Sequence, residues 1–297
     1  MRPASVEEAS AYLADAARDG RPLRIGTDLR TDGLDRVLEH EAGDLTCTVE
    51  AGIRLSALQA TLATAGQRLS LDPPGDPTIG ACLAGRLSGP LSHRYGTPRD
   101  LVLGVTLVLG DGTVASSGGK VVKNVAGYDL GKLVCGSEGR LGLIARVALR
   151  LHPRPAASAT LVVRADDPAR VVRDLRRSRL QPSALDVLHP GRVAVLFEGR
   201  EAAVEAQLAT ARALVGGDVD ADDVWGEARS RQGASLGRLR FVPGDLRNVL
   251  STLDEAVVRP SAGIAYVPQR VGGVPSAAAR RVQRALRERF DPAGVLA

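Results

Sequence analysis

The sequence predicts an α+β protein in two parts, and three features support this prediction. Residues 72–151 contain strand-like runs broken by many glycine turns, Pro153 and Pro155 then interrupt regular structure, and helix-like and strand-like stretches follow one another up to residue 290. Such a succession is typical of one antiparallel sheet with helices on one face. We therefore expect a first domain over residues 1–155 and a smaller α+β domain over residues 156–297.

The clearest element of the first domain is an amphipathic helix over residues 6–18. Ser5 and Glu8 have the spacing of a capping box, and apolar residues recur at helical intervals before Gly20. Residue patterns further along predict strands at 22–25, 45–51, 101–109 and 141–151, and helices at 55–65 and 130–135.

The second domain is read with the same criteria. They predict strands at 160–164, 184–188, 192–197, 236–242 and 263–267, and helices at 168–179, 200–214, 245–257 and 275–290. We expect a basic loop between residues 215 and 235.

The composition narrows the classes of function. A hydrophobic fraction of 44% without a run of 18 apolar residues indicates a globular protein that does not insert into a membrane. The net charge of +5 comes from scattered arginines, and aromatics make up only 3%, which argues against a nucleic-acid surface. The first twenty residues lack the apolar core of a secretory signal, so we expect a cytoplasmic protein.

The cysteines predict no metal centre. Cys47, Cys82 and Cys135 lie far apart, and no C-x-x-C pair occurs. We therefore expect neither an iron–sulfur cluster nor a zinc site in this chain.

The glycine-rich segment carries the most specific signal. Glycine lets the main chain approach a ligand and adopt positive φ, so many glycines in one segment favour a phosphate-bearing ligand, although ordinary turns also use glycine. The order of short motifs is more specific: Thr78-Ile79-Gly80, Ser88-Gly89-Pro90, Arg94-Tyr95-Gly96, Arg99-Asp100, Asp111-Gly112, residues 123–130 (KNVAGYDL) and residues 139–144 (GRLGLI).

This order resembles the FAD-binding domains of the vanillyl-alcohol oxidase or PCMH type, and in detail the FAD-binding subunits of bacterial glycolate oxidases. The resemblance implies a fold of two subdomains, here residues 1–52 and 53–155, followed by a cap domain. It implies non-covalent FAD and a set of cofactor-binding residues: Pro74, Thr78, Ile79, Gly80, Ala81, Ser88, Gly89, Arg94, Tyr95, Gly96, Lys123, Asn124, Gly139, Gly142 and Ile144.

Three departures from the family pattern predict weaker binding of FAD. Only Gly26-Thr27 stands where the family has a long glycine-rich phosphate loop, Ala81 stands where it has glycine, and Leu87 where it has asparagine. Either the phosphates are held by residues 78–80 and the turn at 88–89, or FAD affinity is reduced or lost.

The histidines do not suggest a catalytic site. His40, His93, His152 and His189 show no paired or metal-ligand spacing, so we assign no catalytic residue. His93 is either a residue beside the flavin or a loop histidine hydrogen-bonded to the main chain.

The resemblance also implies partners: a catalytic FAD subunit and an iron–sulfur subunit, which could hold this chain at a membrane. The chain would support oxidation of glycolate to glyoxylate. The alternatives are a flavin-free structural subunit of the same complex and a stand-alone FAD-dependent oxidoreductase.

Overall fold

The computed structural model describes residues 1–119, 129–219, 223–272 and 276–297. The helices are α1 Val6–Arg18, α2 Leu55–Ala63, α3 Ile79–Ala84, α4 Ser92–Tyr95, α5 Pro98–Leu101, α6 Leu130–Val134, α7 Pro168–Arg177, α8 Glu201–Val215, α9 Val224–Gly233, α10 Leu246–Leu250 and α11 Ala277–Phe290. The strands are β1 Val37–Glu41, β2 Thr46–Glu50, β3 Gln67–Arg68, β4 Val102–Val108, β5 Val114–Gly118, β6 Leu143–Arg150, β7 His152–Pro153, β8 Ala157–Arg164, β9 Ala184–His189, β10 Arg192–Gly199, β11 Asp218–Val219, β12 Gly237–Arg240, β13 Ala256–Arg259 and β14 Ile264–Val267.

The first sheet is five-stranded and antiparallel, in the order β1-β2-β6-β4-β5. One core lies between this sheet and helices α2 and α3, where Leu58, Leu62 and Ile79 are fully buried. Helix α1 forms a second core with the end of β4 and the start of β6. The predicted Ser5 cap is confirmed, because the Ser5 hydroxyl accepts from the Glu8 N–H. The reciprocal half of the capping box differs, because Glu8 accepts from the Ala4 N–H and not from the N–H of the cap residue.

The second sheet is seven-stranded and antiparallel, in the order β11-β8-β10-β9-β13-β14-β12. Helices α7, α8 and α10 pack on one face, where they meet Val193, Val195 and Phe197 of β10. The α+β class is therefore confirmed. The expectation that all helices of this part share one face of the sheet is wrong for α9, which packs on the other face through Trp225 and Ala228. It is also wrong for α11, which lies beside residues 133–141.

Several local predictions differ from the structure. The expected basic loop contains α9, whose N-cap Asp223 accepts from the Gly226 N–H. The expected helix at 245–257 ends at Leu250, and β13 begins six residues later. Residues 22–25 form isolated bridges rather than a strand, and β1 was not predicted. Short, half-buried elements carry too little periodicity for sequence patterns to find.

Residues 290–297 pack on the first sheet. Leu23 donates its N–H to the Val295 carbonyl, and Val295 and Leu296 are buried in the α1 core. Asp291 accepts from the N–H groups of both residues, at 2.8 Å each. These residues follow the second sheet in the chain but pack on the first sheet, so a single boundary at residue 155 does not separate all contacts. The domain division at residue 155 stays a prediction.

Within the described residues, none of the helices has the length and hydropathy that a membrane span requires.

A buried ion pair joins the second sheet to a small two-stranded sheet formed by β3 and β7. Arg68 of β3 donates from both terminal nitrogens to the carboxylate of Glu198 on β10, at 2.7 Å each, and Tyr95 of α4 donates to the same carboxylate. The side chains of Arg68 and Glu198 are only 16% and 6% exposed. A bidentate pair of this kind fixes orientation as well as distance.

Loss of Glu198 should therefore destabilise the protein strongly. Glu198→Ala leaves the Arg68 charge buried without its partner, which costs about 3–5 kcal/mol, whereas the double variant Arg68→Met/Glu198→Leu should recover most of that loss. Urea denaturation measures both. Asp15→Ala, at an exposed pair with Arg18, is the control and should cost less than about 1 kcal/mol. Equal effects of Glu198→Ala and Asp15→Ala would contradict the assignment.

Candidate functional site

A cleft of about 360 Å³ lies where three segments of the first domain meet. Its walls are the turn around Gly26, the start of α3, and residues 138–144. The volume falls at the small end of the range for small-molecule sites, so the cleft can hold part of a dinucleotide. It is lined by Ile25, Gly26, Thr31, Thr78, Gly80, Ala81, Ala84, Gly85, Glu138, Gly139, Gly142 and Ile144.

The wall formed by α3 is fixed by capping and by a close main-chain contact. The Thr78 hydroxyl accepts from the Ala81 N–H and so begins the helix. The Gly80 N–H donates to the Ala51 carbonyl at 2.6 Å, and a Cβ on Gly80 would lie 3.0 Å from that oxygen. A side chain at position 80 would therefore be crowded by the main chain at Ala51, whatever the ligand.

The opposite wall depends on two glycines with positive φ. Gly139 has φ +79° and Gly142 has φ +140°, conformations that side chains disfavour. A Cβ on Gly139 would lie 3.1 Å from Ile25, which lines the same cleft. A side chain at position 139 would therefore narrow the cleft.

The lining fits the flat, uncharged part of FAD better than its phosphates. Apart from Glu138, which pairs with Arg140, the lining residues are uncharged, and main chain forms much of the wall. The first amides of α3 are already used, since the Ile79 N–H donates to the Ile53 carbonyl. The hydroxyls of Thr31 and Thr78 are the lining groups that could donate to a phosphate.

Ser88 and Gly89, the second predicted motif, lie instead against the second sheet. The Ser88 carbonyl accepts from Arg259 and from Gln232, at 3.0 and 2.9 Å. A Cβ on Gly89 would overlap the Asp72 carbonyl, so the glycine allows these two main-chain segments to approach closely. The buried polar groups at this contact form a set that we call the Arg259 network: Asp72, Ser88, Asp186, Gln232, Arg259 and Tyr266.

Two carboxylates of low exposure lie beside arginines in this network. The Arg259 Nε lies 3.4 Å from the Asp186 carboxylate. Asp72 accepts from the Leu91 N–H at 3.1 Å, and a terminal nitrogen of Arg229 lies 4.0 Å from its carboxylate. Burial raises the pKa of Asp72 to about 7 and that of Asp186 to about 6, although the Arg259 charge opposes both shifts and the Arg229 charge opposes that of Asp72. The two arginines therefore do not keep both acids fully ionised near neutral pH.

The third predicted motif also serves the contact between the sheets. The Tyr95 hydroxyl is bound to Arg68 and Glu198, Arg94 lies over the Tyr95 ring at 5.8 Å, and Gly96 has φ +82°. His93 lies 3.0 Å from the Ser261 hydroxyl rather than on main chain, and burial lowers its pKa.

Six of the predicted cofactor-binding residues line the cleft: Thr78, Gly80, Ala81, Gly139, Gly142 and Ile144. Ile79 is buried in the core, and Pro74 faces Gly233 of α9, whose Cβ would lie 3.1 Å from it. Lys123 and Asn124 lie outside the described residues.

Sequence reasoning missed the Arg259 network and the cleft residue Glu138. One signal was available: Asp186 stands in the middle of the apolar strand β9, and a charge there needs a buried partner. The partner of Asp186 is Arg259, about seventy residues further along the chain, and no sequence pattern links the two. In the described ranges, no cluster of three or more His, Cys, Asp or Glu side chains could hold a metal ion.

The first part of the chain is similar to known FAD-binding domains. Residues 1–118 match the model of the family described as FAD binding domain. The glycolate oxidase subunit GlcE of Escherichia coli (strain K12) is 34% identical over 218 residues, which cover 72% of this chain and 61% of GlcE. The D-lactate dehydrogenase [cytochrome] 1, mitochondrial, of Saccharomyces cerevisiae is 33% identical over 173 residues, 56% of this chain and 30% of that protein.

The fold has a solved counterpart. An alkyldihydroxyacetonephosphate synthase superposes with a TM-score of 0.76 at 17% identity, over 100% of this chain and 75% of that one. At this identity the likeness shows the fold alone. The chain spans about three fifths of the length of GlcE and about a third of the yeast enzyme.

The Arg259 network should make stability depend on pH. The pKa of Asp72 is raised from 3.8 to about 7, so between these values the native state keeps a proton that the unfolded chain has released. Its contribution to the free energy of unfolding is therefore full below pH 3.8 and is lost as the pH rises through 7. Asp72→Asn keeps an acceptor for the Leu91 N–H and removes the titration.

Urea denaturation at about pH 5 and about pH 8 measures this effect. The loss of stability between the two should be smaller in Asp72→Asn than in the wild type, whereas Asp76→Asn, at an exposed carboxylate whose pKa is lowered by the Ser56 N–H, should leave it unchanged. An unchanged difference in Asp72→Asn would refute the assignment.

Proposed function

From the premise that this chain carries the FAD-binding domain of the FAD-linked oxidoreductases, we propose that it is the FAD-binding subunit of a complex that oxidises a 2-hydroxy acid. The proposed substrate is glycolate, which becomes glyoxylate, and the electrons pass to an iron–sulfur partner subunit. The similarity to GlcE, spread over 72% of the chain, is the observation that carries this proposal.

The cleft at α3 is the proposed FAD site. Main chain at Gly80, Gly139 and Gly142 would border the adenine part, and the Thr31 and Thr78 hydroxyls would donate to the phosphates. FAD supplies the electron acceptor of such a reaction. The role of this chain is then to bind and orient the cofactor while keeping water from one of its sides.

Substrate chemistry is assigned to a partner subunit. Oxidation of a hydroxy acid needs a base for the hydroxyl proton and a cation for the carboxylate. Among the described residues that line the cleft, the titratable side chain is Glu138, which is exposed and paired with Arg140. Two cations at the contact with the second sheet are already engaged, because Arg259 donates to Ser88, Gln232 and Tyr266, and Arg68 pairs with Glu198.

A flavin-free structural subunit is the second candidate, and two features of the cleft favour it. The N–H groups of Ile79, Gly80 and Ala81 are all bonded within the protein, and the Glu138 carboxylate stands where it would repel a phosphate. In both candidates the chain works within an assembly, and we propose that the assembly lies in the cytoplasm or at a membrane surface.

Variants at position 81 should test the FAD site. Ala81 is exposed, lies on α3 and lines the cleft, so Ala81→Leu fills the cleft and should weaken FAD binding at least tenfold, whereas Ala81→Gly should strengthen it. Titration with FAD, followed by flavin fluorescence and absorbance, gives the affinities.

The matched control is Ala57→Leu, at an exposed alanine of α2 that does not line the cleft, and it should change FAD affinity less than twofold. If no FAD binds to any variant, the flavin-free candidate replaces the first. If Ala57→Leu and Ala81→Leu act alike, the cleft is not the site.

The isolated chain should not turn over glycolate. With an artificial electron acceptor and added FAD, we expect turnover only after the catalytic and iron–sulfur subunits are co-expressed, because the titratable side chain in the described lining of the cleft, Glu138, is exposed and paired with Arg140. Dye reduction measures it, and a catalytic-subunit preparation without this chain is the control. Turnover by the isolated chain would make it a stand-alone oxidoreductase.

A further inference from the structure

Helix α11 is attached to the rest of the molecule by few contacts. None of its 14 residues is buried, and only Ala279, Leu286 and Phe290 are partly covered. Val282 is 61% exposed. A helix of this length gains most of its stability from packing, so an unpacked surface on it is unusual unless something else covers it.

The charges on α11 are strongly one-sided. It carries five arginines and a single glutamate, a net charge of +4 within the helix. Arg280, Arg284 and Arg287 follow the spacing i, i+4, i+7 and so form one stripe. Like charges at these spacings destabilise a helix by about 0.2–0.5 kcal/mol per pair, a cost that a bound anion would remove.

The stripe lines a cleft of about 850 Å³. The facing wall comes from the end of α6 and the segment after it, and includes Leu133, Arg140 and Leu141. The cleft therefore has guanidinium groups on two sides and leucines between them. Arg284 forms no ion pair with another described residue, and the hydrogen bond of Arg287 to the Leu296 carbonyl is long, at 3.5 Å.

The acids beside the cleft do not neutralise Arg284 and Arg287. Asp291 is buried, and its carboxylate is used by the N–H groups of Val295 and Leu296. Of the four lining arginines, Arg140 pairs with Glu138 and Arg280 has an interaction of its own, so Glu288 stands against the other two. Arg284 and Arg287 are therefore available to an external anion.

We propose that this cleft, between α11 and residues 133–141, is a docking site for an acidic segment of a partner polypeptide. Arginine forks bind carboxylates through two parallel hydrogen bonds, and the leucines provide apolar contacts for side chains between the acids. A recessed cleft with apolar walls suits a peptide better than it suits a flat lipid surface. The proposal does not depend on FAD binding at α3.

A labelled peptide of about ten residues, with alternating glutamate and leucine, is the probe, and fluorescence anisotropy with the full chain measures its affinity. Arg284→Glu/Arg287→Glu should weaken binding at least tenfold. Arg284→Lys/Arg287→Lys keeps the charge but loses the fork geometry, and should weaken it about threefold.

The matched control is Arg281→Glu/Arg289→Glu, which makes the same change in charge on the same helix outside the cleft, and should weaken binding less than threefold. Circular dichroism checks that each variant folds, and the neutral pair Arg284→Gln/Arg287→Gln replaces any that does not. Inorganic pyrophosphate and vesicles containing phosphatidylserine are added as competitors and should not displace the peptide.

Three outcomes would overturn the proposal. Equal weakening by the two glutamate pairs means that only overall charge matters. If pyrophosphate displaces the labelled peptide at a concentration lower than that of the peptide, the cleft holds a phosphate ligand. Displacement by vesicles at low lipid concentration means that α11 binds a membrane surface.

Discussion

The relation between the two sheets depends on how one buried charge is neutralised. Arg259 stands on the face of the second sheet that meets the first domain, and it donates to Ser88, to Gln232 and to Tyr266 while lying beside Asp186. A guanidinium is costly to bury unless its donors are satisfied. Because the satisfying groups come from both domains, the arrangement of the domains and the solvation of this charge cannot be changed separately.

This constraint bears on what the middle of the chain can do. The residues from Ser88 to Gly96 resemble a cofactor-binding stretch, yet their polar groups hold the sheets together. The cleft formed by the earlier and later glycines is left as the surface open to a ligand. Binding and domain contact are thus divided between two parts of one glycine-rich segment.

Sequence reasoning located the large elements and half of the cleft, for identifiable reasons. Helix α1 carries its own cap and a continuous apolar face, and strands β4 and β6 are long and mostly apolar. Helix α9 has no such face, because it buries Trp225 and Gln232 in mixed surroundings, and so it was predicted to be loop.

The roles of individual glycines and ion pairs could not be predicted. Gly80, Gly89 and Gly96 look alike in the sequence, but Gly80 accommodates the Ala51 carbonyl, Gly89 the Asp72 carbonyl, and Gly96 a left-handed turn beside Asp100. Ion pairs such as Arg68–Glu198 join residues 130 positions apart. Such partners depend on the tertiary fold, and composition or periodicity carries no record of them.

The packing of Val295 and Leu296 into the core beneath α1 has a consequence for biosynthesis. This core joins the first helix to residues that the ribosome adds after nearly three hundred others. Contacts of such long sequence separation form late and slow folding. During synthesis, part of the apolar surface of the first sheet therefore stays exposed until the second sheet has been translated. In that interval chaperones can bind this surface, or two nascent chains can associate through it.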